Sequence, residues 1–247
     1  IGIVLILGIS IASIGVILLL GQPVLTDATD GATIDRVQNE MRTLDSRLTA
    51  AAVGTSANET LRLNLEGGEL TTDSDSGNLN VTLADGTPVY NEEMGKIEYD
   101  KENTALAYEG GGVWRRNTLT NASSMVAPPD FDFDGETLTL PVYNVTTDSG
   151  YSGTQVLSVR GGNNTRYHPN STTKNPVGGV ILTLETDYYQ AWGRYLEKEI
   201  SSNVTVDEDA NEVRAELSAL DAPDSIDWAG ATKKEYEAPA NELFESF

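Results

Sequence analysis

The pattern of apolar and polar positions sets the N-terminal end apart from the rest of the chain. Ile1 to Leu20 contains only apolar and small residues, and the first charged residue is Asp27. An α-helix of 20 residues is about 30 Å long, which matches the hydrocarbon core of a bilayer. The pattern predicts a helix that is buried in lipid or against copies of itself. Because no basic residue precedes the apolar run, we expect a processed or trimmed N-terminus rather than an intact signal peptide.

A second helical pattern follows a predicted kink at Gly21 to Pro23. Its apolar positions recur at spacings of three and four, which is the period of an amphipathic helix. They are Ile34, Val37, Met41, Leu44 and Leu48, with Ala51 and Ala52 continuing the stripe. This helix is predicted to cover residues 24–53 and to pack on the sheet of its own domain, on neighbouring subunits, or on both.

Alternating apolar positions then predict a series of short strands between residues 58 and 184. Strong examples are Leu61 to Leu65, Leu79 to Leu83 and Gly179 to Glu185. Tyr188 to Ile200 returns to helical spacing, with Thr186 and Asp187 as predicted capping residues. Helical spacing favours burial of these aromatic residues over an exposed platform for sugars. Two further strands are predicted at Asn203 to Val206 and Glu212 to Leu217.

These elements predict an α+β fold. A long N-terminal apolar and amphipathic helix precedes a mainly antiparallel, β-sandwich-like globular domain that carries one helix in its C-terminal half. The predicted domain organisation is an N-terminal helix at 1–53, a β-rich ectodomain at 54–220 and an acidic C-terminal tail at 221–247.

The charge balance narrows the classes of partner. The chain has 38 acidic and 16 basic residues, for a net charge of -22. Such a surface repels phosphate, so nucleic acid is not an expected partner. The excess of carboxylates is typical of haloarchaeal proteins, which stay hydrated at high salt. The chain has no cysteine, which excludes disulfides and thiol sites.

Seven N-x-Ser/Thr sequons favour an exported, glycosylated domain. All of them follow the apolar segment, at Asn58, Asn80, Asn121, Asn144, Asn163, Asn170 and Asn203.

Catalytic and metal-binding motifs are weak. The only histidine, His168, has no cysteine partner, and no G-x-S-x-G motif is present, so we do not expect an enzyme. Asp130, Asp132 and Asp134 with Gly135 match the start of an EF-hand loop, but position twelve is Pro141 instead of glutamate. A half-buried strand with solvated aspartates explains this segment better, so no metal or other cofactor is predicted.

The N-terminal architecture and the segment Asp187 to Glu197 (DYYQAWGRYLE) together resemble archaeal type IV pilin-like proteins, in particular haloarchaeal ones. Position 5 is Leu, as the resemblance allows, because archaeal pilins commonly lack the glutamate that bacterial pilins carry there. The resemblance implies that apolar helices of many copies bundle into a filament core. The core residues would be Ile1, Ile3, Val4, Leu5, Leu7, Gly8, Ile11, Ala12, Gly15, Val16 and Leu19.

The expected function is therefore that of a structural subunit of an extracellular, cell-surface filament that serves adhesion. The expected partners are other copies of the chain, the membrane before assembly and N-linked glycans. The alternative is a monomeric, membrane-anchored sensor or ligand-binding ectodomain, which would use the same apolar segment as its anchor.

Overall fold

A computed structural model describes residues 31–50, 58–133, 138–145, 149–160, 164–166, 179–218 and 232–236. The chain divides into two compact units, Ile1–Val37 and Gln38–Phe247. The predicted apolar helix at residues 1–20 lies outside the described residues. The account below concerns the second unit, together with the helix that begins in the first.

Two helices and sixteen strands make up the described residues. Helix α1 covers residues 31–50, and helix α2 is Tyr189–Glu199. The strands are β1 (Asn58–Asp73), β2 (Asn78–Leu83), β3 (Pro88–Glu93), β4 (Lys96–Lys101), β5 (Thr104–Glu109), β6 (Gly112–Asn117), β7 (Ser123–Ala127), β8 (Asp132–Phe133), β9 (Leu138–Thr139), β10 (Pro141–Val145), β11 (Ser149–Arg160), β12 (Asn164–Arg166), β13 (Gly179–Glu185), β14 (Asn203–Asp207), β15 (Glu212–Ser218) and β16 (Thr232–Tyr236).

The strands form two large sheets and two small ones. The larger sheets have the orders β11-β1-β4-β5-β6-β7 and β14-β15-β13-β2-β3, and the smaller ones are β10-β16-β12 and β8-β9. Among the described strands, β10 and β16 form the single parallel pair. Strand β16 falls in the segment predicted as a tail. The two short strands of β8-β9 include Asp132 and Phe133, where a strand was predicted.

The predicted α+β fold class with a long N-terminal helix is wrong. The described residues are mainly β, and neither of their two helices is long and apolar enough to cross a membrane. Helix α1 alternates its apolar positions with charged residues such as Glu40 and Arg42, which is why its hydropathy stays low. The prediction combined a long N-terminal helix with a mainly antiparallel β domain, whereas strands make up most of the described elements.

Helix α2 joins both large sheets in one apolar core. Strands β2, β13 and β15 bury every second residue, as half-covered strands do. Trp192 of α2 lies 4.4 Å from Trp114 of β6 and 5.6 Å from Phe131, measured between ring centroids. Tyr195 donates its hydroxyl to the carbonyls of Pro129 and Phe131 at 3.2 and 3.1 Å. The aromatic stripe is thus buried, as its helical spacing predicted.

The part of helix α1 that belongs to the second unit contacts two strands of the six-stranded sheet. Glu40 accepts a hydrogen bond from the backbone of Asn64 in β1 at 3.2 Å, and Arg42 donates to the carbonyl of Val126 in β7 at 3.3 Å. Met41, which lies between these two residues, is completely buried, and so is Leu44 one turn further on. Strand β5, which lies between β4 and β6 inside this sheet, is buried along its whole length.

Gly95 connects β3 and β4 in a conformation that excludes a side chain. Its φ is +66°, and a Cβ there would lie 2.2 Å from the carbonyl oxygen of Val145. The same backbone stretch binds β10, since the amide of Val145 donates to the carbonyl of Met94 at 2.8 Å. Gly95 therefore permits the close approach of β10 to the start of β4.

We expect Gly95→Ala to destabilise the protein more than Gly86→Ala. Gly86 also has a positive φ, of +87°, but a Cβ there would meet nothing within 4 Å. Strain alone should cost Gly86→Ala about 1 kcal/mol, whereas strain plus the clash should cost Gly95→Ala about 3 kcal/mol. Denaturant unfolding of the full chain in nonionic detergent, followed by tryptophan fluorescence, measures the free energy of unfolding of both variants. Equal losses in the two variants would contradict the close approach of β10.

Candidate functional site

An acidic cleft opens where the turns β1–β2, β3–β4 and β13–α2 meet. Its volume is about 390 Å³. The register of the six-stranded sheet places Lys96 opposite both Asp73 of β1 and Glu109 of β5, so these three residues share one face. The lining residues are Asp73, Asp75, Ser76, Gly77, Asn78, Glu93, Lys96, Glu185, Thr186, Asp187 and Asn211.

Carboxylates dominate the charge of this cleft. Asp73, Asp75, Glu93 and Glu185 are exposed, and none of them forms an ion pair with another described residue. Asp73 accepts a hydrogen bond from the backbone of Asp75 at 3.0 Å, which shapes the β1–β2 turn. The single basic side chain of the lining, Lys96, is occupied by other carboxylates. The open cleft therefore attracts cations.

A four-membered ionic network forms the wall beneath the cleft. Lys96 Nζ lies 3.3 Å from Glu98 Oε1 and 3.1 Å from Asp187 Oδ2. Arg116 Nη2 lies 3.8 Å from Glu98 Oε2 and 3.6 Å from Asp187 Oδ2. Burial lowers the pKa of Lys96, but the carboxylates of Glu98 and Asp187 raise it more, so the net change is upward. The network contains two cations and two anions, and it is neutral as a whole.

Tyr188 completes the network from the apolar side. Its hydroxyl donates to Glu98 Oε2, and the guanidinium of Arg116 lies 5.5 Å from its ring centroid. Burial and the nearby Glu98 carboxylate raise the pKa of the Tyr188 hydroxyl well above its usual value. Burial, together with Glu98, also raises the pKa of Asp100 to about 6. The tyrosine thus remains a neutral hydrogen-bond donor.

Glu109 is a fully buried carboxyl group behind the cleft floor. Its Oε1 accepts hydrogen bonds from Thr186 Oγ1 at 2.6 Å and from Trp192 Nε1 at 3.2 Å. Its Oε2 has no hydrogen-bond partner in the described part of the chain. Burial raises the pKa of Glu109 from 4.5 to about 7, against the lowering effect of the two hydrogen bonds.

The predicted cap of α2 is wrong in detail. The residue at the cap position is Tyr188, and no side chain caps the helix. The hydroxyl of Thr186 donates to Glu109 and accepts a hydrogen bond from the backbone amide of Tyr188 at 3.1 Å, whereas Asp187 pairs with Lys96 and Arg116. Thr186 therefore shapes the turn that leads into α2, and Asp187 serves a tertiary ion pair.

The weak metal candidates do not form a metal site in the described residues. Asp130 accepts hydrogen bonds from Tyr143 at 3.1 Å and Thr49 at 3.4 Å, and Asp132 is exposed in β8. Asp134 lies outside the described residues. No group of three or more histidine or carboxylate side chains in the described ranges is arranged to hold a metal ion.

The sequon asparagines differ in exposure. Asn144 is buried, and its side-chain nitrogen donates to the carbonyl of Glu93. Asn80 is half-buried in β2, between β13 and β3. Asn121 is half-exposed in the β6–β7 turn with φ of +58°, and Asn203 is exposed at the start of the edge strand β14. Asn58 begins β1, and Asn163 and Asn170 lie outside the described residues.

The eleven predicted filament-core residues between Ile1 and Leu19 lie outside the described residues. Lys96, Glu98, Glu109 and Arg116 were not predicted as site residues. The available signal was a charged residue at every second position of β4 and at the end of the apolar strand β5.

The chain belongs to the DUF7289 family, a family of unknown function whose sequence profile matches residues 1–225. No curated protein and no solved structure shows significant similarity to it. The match includes the uncharged N-terminal segment, α2 and all cleft residues.

We expect Glu109→Gln to remove a pH-dependent loss of stability. The folded state holds the Glu109 proton more tightly than the unfolded state, so the free energy of unfolding falls as pH rises from 4.5 to about 7. The full fall is about 3 kcal/mol. Glutamine keeps the acceptor for Thr186 and Trp192 without ionising. The variant should match the wild type near the lower end of this window and exceed its stability above the upper end.

Denaturant unfolding at a series of pH values measures this difference. Glu197→Gln on the exposed side of α2 removes the same charge and should show no such pH-dependent gain. Taking the difference from wild type cancels the titration of Asp45 and Asp100, whose pKa values are also raised. A constant difference between Glu109→Gln and the wild type across the window would contradict a buried, neutral Glu109.

Glycans, if attached, should be found on Asn121 and Asn203 and not on Asn144. The acceptor nitrogen of Asn144 is buried and hydrogen-bonded, and no glycan fits there in the folded domain. Site-resolved mass spectrometry of peptides from the native protein measures occupancy. The Asn121→Gln variant should lose one glycan, whereas Asn144→Gln should leave the intact mass shift unchanged. An occupied Asn144 would conflict with the packing of β10.

Proposed function

We propose that the protein is a structural subunit of a surface filament of the archaeal type IV pilin-like class. The observation that carries this proposal is the distribution of charge. The first 26 residues carry none, and the remainder carries the whole net charge of -22. Such an apolar segment is insoluble in water unless lipid or other copies cover it. An acidic surface on the remaining residues stays hydrated at high salt.

The division of the chain supports the proposal. Gln38–Phe247 is a compact unit with its own apolar core, distinct from Ile1–Val37. A subunit that associates through its N-terminal segment needs a second unit that folds without help from that segment. Small residues at Gly8, Ala12 and Gly15 suit close approach of segments from different copies.

The proposed life cycle follows from these properties. The subunit is held in the membrane by its apolar segment before assembly and then passes into an extracellular filament whose interior is equally apolar. Acidic, glycosylated domains form the outer surface, which serves adhesion. Transfer between two apolar surroundings requires little desolvation, because no charge between Ile1 and Thr26 has to leave water.

A monomeric, membrane-anchored ligand-binding ectodomain is the second candidate function. The acidic cleft of about 390 Å³ favours it, since its size falls within the range of small-molecule sites. The two functions differ in oligomeric state. Purified surface filaments that contain this chain would count against the monomer.

We expect Gly8→Glu to abolish filaments and Leu119→Glu to leave them intact. The first variant places an unpaired charge in the apolar segment, at a cost of several kcal/mol in each copy. The second adds the same charge to the β6–β7 turn, where Leu119 is 75% exposed. Electron microscopy of surface filaments, with mass spectrometry of their subunits, measures assembly. Membrane levels of both variants are compared by immunoblot. Normal filaments from Gly8→Glu would refute the proposal.

A further inference from the structure

We propose that Asp45 of α1 and Asp130 of the β7–β8 segment form a proton-dependent latch. When the pair shares one proton, the latch holds the later part of α1, residues 38–50, on the strands that it contacts. When both carboxyl groups are ionised, their repulsion releases this part of the helix. The inference goes beyond the proposed filament function, because both residues belong to Gln38–Phe247 and the latch works in a single chain. Its test and the test of filament assembly can therefore fail separately.

Asp130 connects α1 with β10 through one carboxylate oxygen. Its Oδ2 accepts hydrogen bonds from Thr49 Oγ1 of α1 at 3.4 Å and from the hydroxyl of Tyr143 of β10 at 3.1 Å. Asp130 is also exposed to water. Hydroxyl donors and water both favour a charged carboxylate, so Asp130 is the ionised member of the pair.

Asp45 approaches the same contact from α1. It precedes Thr49 by four residues, so the two side chains lie on one face of the helix. It also follows Met41 by four residues and precedes Leu48 by three, and both of these apolar side chains are buried. The half-buried carboxyl group of Asp45 therefore lies at the margin of the buried apolar stripe, on the side where the helix meets a negative charge.

This position favours the protonated form of Asp45. Burial, and to a smaller extent the Asp130 carboxylate, raise the pKa of Asp45 from 3.8 to about 7. In the released helix the carboxyl group is solvated again, and its pKa returns to the lower value. The docked state thus holds the proton more tightly than the released state. The docking equilibrium therefore weakens about tenfold for each pH unit between these two pKa values and changes little above the higher one.

The groups around the pair leave its charge uncompensated. On α1, Arg42 donates its guanidinium to a backbone carbonyl of β7 and to a side chain of its own helix. Arg47 lies about 200° around the helix axis from Asp45. Both carboxyl groups act on Tyr143 of β10, and burial together with Asp130 raises the pKa of its hydroxyl, which stays a neutral donor. Within the described part of the chain, neither aspartate forms an ion pair.

Hydrogen–deuterium exchange of the full chain in nonionic detergent, followed by mass spectrometry, tests the latch. The measured quantity is the protection factor of peptides from residues 42–50, which corrects for the effect of pH on the intrinsic exchange rate. We expect wild-type protection in these peptides to fall about tenfold to thirtyfold between about pH 5.5 and about pH 8.5, the change that one such proton produces.

Three variants separate the pair from the general negative charge. Asp45→Asn should remove the fall in protection, because the amide keeps the size of the side chain without ionising. Asp130→Asn should reduce the fall by at least about twofold, since it removes the repulsion and leaves only burial as a cause. Asp35→Asn, at an exposed position of the same helix, should keep the wild-type fall. Circular dichroism of each variant checks the fold before exchange.

The exchange of α1 distinguishes the latch from its alternatives. A fall that is lost in Asp45→Asn, reduced in Asp130→Asn and kept in Asp35→Asn supports the latch. Constant wild-type protection across the pH range overturns it, as does an equal fall in Asp45→Asn. An unchanged fall in Asp130→Asn shows that burial acts alone and overturns the pairing. Recovery of wild-type protection at the higher pH on addition of Ca²⁺ shows a cation site instead and overturns the latch as well.

Discussion

The neutral ionic network of Lys96, Glu98, Arg116 and Asp187 is the constraint on which the rest of the structure depends. The side chains of Lys96, Glu98 and Arg116 are largely buried where the six-stranded sheet meets the start of α2, and an unpaired charge there would be strongly destabilising. Asp187 joins them from a partly exposed position, with 44% of its side chain accessible. Each cation contacts both carboxylates, so removal of any one member leaves an uncompensated charge. The network thereby fixes the β13–α2 turn over the face of β4, and α2 brings its aromatic residues into the core from that turn.

Glu109 is a buried acid whose charge the ionic network does not compensate. It lies on the same sheet face as Lys96, yet its Oε2 has no partner among the described residues. Burial acts on it more strongly than any nearby charge, and the raised pKa of about 7 reflects that balance. The site thus combines a balanced ionic wall, a neutral buried acid and an open rim of exposed carboxylates. The exposed carboxylates give this rim a negative electrostatic potential.

The two units of the chain follow different physical rules. Ile1–Val37 includes the uncharged segment, and an apolar segment of that length is insoluble in water unless it is covered. Gln38–Phe247 satisfies its backbone through strand pairing and its apolar residues through a core shared by two sheets and α2. A filament subunit and an anchored ectodomain both use such a division. The DUF7289 family profile, which matches residues 1–225, spans the first unit and most of the second and assigns no role to either.

Local pattern alone determined the individual elements. Alternation of apolar and polar residues identified β2, β13 and β15, and helical spacing identified the buried aromatic face of α2. Both periods can be recognised within a few consecutive residues, so no distant contact has to be known. Fold class was predicted wrongly, since the number and pairing of strands depend on contacts distant in sequence. The sequence alone also could not predict the site. Lys96, Glu98 and Asp100 alternate with Ile97 and Tyr99, and alternation cannot tell whether water or another element covers the charged face. Only the tertiary structure places Arg116, Asp187 and Tyr188 there, and so decides that Lys96 and Glu98 are paired and largely buried instead of solvated.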